Sequence, residues 1–132
     1  MTEVTNAKGD SPKNFRHIVV FREGDITCIR LKHARLDEME IQQLGEEILS
    51  IGGPPGHKIA LSLGPDTPFC LYSVFLAKLV TIRNAVARMG GGLVLCEVGA
   101  NTFETFKATR LENLFTFVPD FPSAIAHFGK SV

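Results

Sequence analysis

A chain of 132 residues with 45% hydrophobic composition is long enough to bury one core and short for two. Its 14 basic and 14 acidic side chains cancel to a formal net charge of zero, so no overall field holds a polyanion such as DNA or draws the chain to an anionic membrane. No apolar run approaches the roughly 20 residues needed to span a bilayer, and the opening MTEVTNAKGDSPKNF lacks the apolar stretch of a signal peptide, so the expectation is a cytoplasmic protein with neither nucleic acid nor membrane as partner.

Residues 1–14 are polar with almost nothing apolar, a composition that cannot offset its ordering entropy by burial. They are expected to form a flexible tail ahead of one domain over 15–132. From His17, the β-rich runs HIVVF and ITCIRL flank REGD, and the Gly-Asp turn between them predicts a hairpin. Asp37 can accept from the amides of a first helical turn while Glu40 reaches back, which is the spacing of a capping box. Ile41, Leu44, Ile48 and Ile51 then share one stripe of a helix, and GGPPG at 52–56 ends it.

KIALSL at 58–63 reads as a central strand and GPDTPF as the loop after it. The following helix places Phe75, Leu79, Ile82, Val86 and Met89 on one face, and Lys78, Thr81, Ala85 and Arg88 on the other. Gly90, Gly91 and Gly92 close it and lead into LVLCEV, a buried strand. A phosphate-binding loop precedes a helix, where the dipole is positive; these glycines follow one, which argues against a nucleotide site. Asn101 and Glu104 repeat the capping-box spacing at a short helix carrying Phe103 and Phe106. ENLFTFV, from Glu112, holds a last short strand, and Asp120 near Pro122 starts a terminal helix with Ile125 and Phe128 facing inward. This alternation implies an α/β domain: a mixed, largely parallel sheet of about five strands with an opening hairpin and about four helices on its faces.

Catalytic spacings are absent. His17, His33, His57 and His127 are scattered and read as surface or rim histidines, with no HExxH, GxSxG, GxxxxGK[ST] or GxGxxG pattern. Cys28, Cys70 and Cys96 are odd in number and far apart, and read as reduced core thiols. The expectation is a non-enzymatic protein without metal or cofactor.

Taken together, GDITCIRL, ARLDEMEIQQLGEEIL, KIALSL, YSVFLAKLVTIRNAVARMGGGLVLCEV and FKATRLENLFTFVPDFPSAIAHF resemble the STAS domain, the family of bacterial anti-sigma factor antagonists and their relatives. The resemblance covers nearly the whole chain after the tail. It implies a regulatory protein whose partner is an anti-sigma factor or a related kinase-like regulator. In that family an Asp-Ser-Ser-Gly-Leu-like motif starts the switch helix, and phosphorylation of its second Ser releases the partner. Phosphate is tolerated at a helix N-terminus, yet its charge of about −2 disrupts a surface packed there.

Counting back from Gly90 and Gly91 places the family's Leu on Leu76, its Gly on Phe75, its acceptor Ser on Val74, the preceding Ser on Ser73 and its Asp on Tyr72. Ser62 likewise stands where an Asp is common at the end of the central strand. The resemblance therefore implies docking through Asp66, Thr67, Pro68, Phe69, Tyr72, Ser73, Val74 and Lys78 without the family's phosphoserine switch. Ser73 reads first as a helix N-cap, with phosphorylation after a one-residue slip of the loop as the other reading. Pro68, Phe69 and Tyr72 read as an apolar loop tip suited to contact. Two alternatives stand beside this: a self-associating scaffold or sensory subunit, including a homodimer, and a domain that binds a small ligand beside the switch helix.

Overall fold

The structure, a computed structural model, describes residues 15–32, 35–51, 56–63, 69–70 and 72–129, with the backbone alone for Arg35, Phe69, Cys70 and Tyr72. Strands β1 (Ile18–Glu23) and β2 (Ile26–Leu31) form the expected antiparallel hairpin, turning through Gly24 at φ +65°, a conformation costly for any residue with a Cβ. β3 (Arg35–Leu36) leads to α1 (Glu38–Ser50). The Asp37 side chain accepts from the Glu40 amide at 2.8 Å and Glu40 accepts from the Asp37 amide at 2.9 Å, so the capping box forms as its spacing predicts.

The chain continues through β4 (Lys58–Ser62), β5 (Phe69–Cys70), α2 (Tyr72–Arg88), β6 (Gly92–Cys96), α3 (Ala100–Ala108), β7 (Thr116–Val118) and α4 (Phe121–Gly129). Five strands form one sheet in the order β1-β2-β4-β6-β7, parallel from β2 onward. A separate two-residue parallel pairing joins β3 to β5. It has no counterpart in the sequence pattern, because two residues are too few to show an alternation.

Three helices cover one face of the sheet. Ile41, Leu44 and Ile48 of α1, Phe75, Leu79 and Ile82 of α2 and Phe106 of α3 pack with Ile29, Leu61 and Leu95. On the other face, α4 buries Phe121, Ala124 and Phe128 against Ile26, Cys28, Ala60, Val94 and Cys96. The two faces thus carry unequal layers, with the larger buried cluster on the helix-rich side.

Several local expectations change. Met89 lies beyond the end of α2 and is 53% exposed rather than on the core stripe. α3 begins after an extended Gly99 whose carbonyl accepts from Phe103, with no side-chain cap, which leaves Asn101 and Glu104 inside the helix. His17 is not a rim residue: it is buried, with Nε2 2.8 Å from Gln43 Oε1 on α1. His57 is half-buried, with Nε2 2.6 Å from the hydroxyl of the fully buried Thr27. Ahead of β1, the Glu47 carboxylate accepts from the amides of Arg16 and His17 at 2.8 and 3.0 Å, which straps the start of the strand to α1.

The triple glycine has three separate reasons. Gly90 takes φ +76°, Gly91 packs against the His57 carbonyl with no room for a Cβ, and Gly92 lies under the Phe128 ring.

Candidate partner-binding site

The start of α2 decides which residues face outward. Ser73 is its second residue and is exposed, so it lies within the first turn instead of ahead of it as a cap. Val74 is half-buried and packs against the main core cluster, while Phe75 is 1% exposed and belongs to the core. Lys78 is half-buried because its aliphatic stem lies over Gly45 of α1, leaving no room there for a Cβ. The outward stripe is Ser73, Ala77, Thr81, Asn84 and Arg88, all exposed, and Thr81 returns its hydroxyl to the Ala77 carbonyl at 3.1 Å. Of the side chains expected on that face, Thr81 and Arg88 are there, whereas Lys78 and Ala85 sit on its half-buried flank.

Phe69 belongs to β5, paired with Arg35, and Tyr72 opens α2, so these two are held in regular backbone at either end of the short link into the helix. Asp66, Thr67 and Pro68 lie outside the described residues. Of the expected tip, Phe69 therefore lies in a strand and Tyr72 in a helix.

A second polar group gathers at the carboxyl ends of β2, β4 and β6, the edge of a parallel sheet where sites are commonly built. Ser62, fully buried, donates to Glu97 Oε1 at 2.5 Å. Arg30 Nη2 lies 3.5 Å from the same oxygen, and its guanidinium sits 5.0 Å above the Phe121 ring. Glu97 adopts φ +54°, a left-handed backbone that costs a non-glycine residue about 1–2 kcal/mol. Its amide donates to the Pro119 carbonyl at 3.1 Å, and these partners together hold the turn.

Sequence reasoning singled out Ser62 and missed Arg30 and Glu97. Nothing local marks them, since the three meet only through the pairing of Ser62 with Arg30 on one side and Cys96 on the other. The neighbouring thiols are buried as expected: Cys28 is pushed up to about 11 by burial and then Glu23, and Cys96 to about 12 by burial and then Glu97. Both stay protonated at neutral pH and are poor nucleophiles. Among the described residues no group of three His, Cys, Asp or Glu could hold a metal ion, and no helix is long and apolar enough to cross a membrane.

No protein-family model matches the sequence, and no curated protein matches it. Solved structures do. An anti-sigma-factor antagonist (STAS) domain protein from Planctomyces limnophilus superposes with a TM-score of 0.75 at 22% identity, covering 85% of this chain and 97% of the other. The fold is that of the STAS domain. A candidate anti-sigma factor antagonist from Thermotoga maritima gives a TM-score of 0.69 at 17% identity, with 83% and 92% of the two chains covered. The same STAS-like arrangement matches part of the murine anion transporter Slc26a9, at a TM-score of 0.63 and 12% identity over 82% of this chain and 18% of the transporter. The mixed five-stranded sheet with four helices read from the sequence is the one observed.

Proposed function

We propose that this STAS-fold chain is a regulatory protein-interaction module of the anti-sigma factor antagonist kind, docking an anti-sigma factor or related kinase-like partner through the start of α2 and the adjoining segment from Asp66, without a phosphoserine switch. The observation that carries it is the contrast along the first turns of α2. Val74, at the counted acceptor position, has no hydroxyl and packs half-buried on the core, while Ser73, Ala77, Thr81 and Asn84 leave a smooth exposed face. The residues of that face before Arg88 are small and uncharged, so a partner backbone can approach its first turns closely. Lys78 and Arg83, whose guanidinium donates to Asn84 Oδ1 at 3.0 Å, flank it with two cations suited to an acidic neighbour.

Binding of a cognate anti-sigma kinase, measured by titration calorimetry, is expected to weaken at least tenfold in Ala77→Arg with the thermal midpoint unchanged. Equal affinity in that variant would remove α2 from the interface. Incubation with the kinase and ATP is expected to leave the chain unmodified; phosphate gained by the native chain and lost in Ser73→Ala would overturn the no-switch reading.

A further inference from the structure

The outer edge of the sheet offers a pairing surface of its own. β1 has β2 on one side only, and the sheet order leaves its other side without a described strand. The amide of Lys32 donates to the His17 carbonyl at 2.9 Å, which fixes the phase of the antiparallel ladder: odd-numbered residues of β1 turn their backbone groups toward β2. The amides and carbonyls of Ile18, Val20 and Arg22 therefore point outward. That makes three donors and three acceptors on six residues, IVVFRE, with no proline to interrupt them.

Natural edge strands are guarded by prolines, bulges or inward-pointing charges. β1 has none of these along its first four residues, its ladder with β2 runs without a bulge, and Val19 is 45% exposed. We propose that β1 pairs antiparallel with β1 of a second copy of this chain, extending the five-stranded sheet across a two-fold axis through Val20.

The self-complementarity supports this register. With Val20 opposite Val20 of the second copy, Ile18 faces its Arg22 and all six outward groups of each strand find partners. Any other register consistent with the sheet faces leaves some of them unpaired. On the α4 side the same register sets Val19 against Phe21 of the other copy, a β-branched and aromatic cross-strand pair that covers the exposed valine. No like charges stand opposite one another, and a formal net charge of zero gives the copies no mutual repulsion to overcome. A closed two-fold pair also uses up the edge, so assembly stops at two.

Sedimentation equilibrium of the full chain over a concentration series is expected to give a dimer that dissociates on dilution. Val20→Pro removes an outward amide that β2 does not use, and Val19→Lys places an ammonium at the cross-strand pair. Each is expected to raise the dimer dissociation constant at least tenfold while circular dichroism and the unfolding midpoint stay near native. If Val20→Pro does not fold, Val19→Lys decides alone. Hydrogen exchange at the Val20 amide is expected to slow as concentration rises. A single-chain mass at every concentration, or a folded variant that dimerises as the native chain does, would overturn the pairing.

Discussion

Gly91 shows how one missing methyl group can hold two elements together. A Cβ there would run into the His57 carbonyl, and that same carbonyl accepts the Gly92 amide at 3.0 Å, so the obstacle is backbone that is itself bonded in place. Gly91→Ala is expected to cost about 1–3 kcal/mol, the range for overpacking, read as a lower midpoint in urea with an unchanged slope. The glycines were legible in the sequence as a helix stop. Their separate reasons were not, because the His57 carbonyl beside Gly91 and the Phe128 ring over Gly92 come from the segment before β4 and from α4, far away along the chain. The same limit hid Arg30 and Glu97: Ser62 could be picked out by its place at a strand end, but its partner became visible only through the pairing of β4 with β6. Ser73 was read as a cap, but α2 starts one residue earlier at Tyr72, which places Ser73 exposed in the first turn and Val74 half-buried beside it.

At the scale of elements, the start of α1 is the clearest case of local sequence deciding local structure. Asp37→Ala is expected to lower stability by about 1 kcal/mol, because the Glu40 amide loses its side-chain acceptor while the Asp37 amide keeps its bond to the Glu40 carboxylate. Chemical denaturation would measure it, and Glu40→Ala should lose less in the Asp37→Ala background than alone. The same capping spacing misled at α3, where the helix starts at Ala100 after an extended Gly99, and the Glu104 carboxylate instead lies 3.8 Å from Lys107 one turn on. A motif of two residues competes with backbone geometry and can lose. β3 and β5 were illegible for a simpler reason, since strands of two residues carry no period. The longer apolar runs of β1, β2, β4 and β6, bounded by turn formers, were readable as strands.

For the whole molecule, acid sensitivity follows from where His57 sits. Burial, and then the charge on Arg22, lower its folded-state pKa below the usual 6.5. The unfolded chain therefore takes up this proton first as pH falls, so the stability tied to neutral His57 is complete above about 6.5 and is lost as pH drops toward the lowered folded value. Asp120, held below its ordinary value by hydrogen bonds from Ser123, acts with the same sign in a lower window, beneath 3.8. Thermal midpoints taken from pH 7.5 downward are expected to decline below about 6.5 in the native chain and more shallowly in His57→Gln.

The unequal layering of the sheet also sets an order of events. Most of the helix-rich face can close once α3 is available, since the described helices that seal it precede β7 in the chain. The opposite face must wait for α4, and until then Ile26, Cys28, Ala60 and Val94 stand open to water in adjoining strands. A chain emerging during synthesis thus passes through a stage with one finished side and one adhesive side, and that second side is where a chaperone would find its grip.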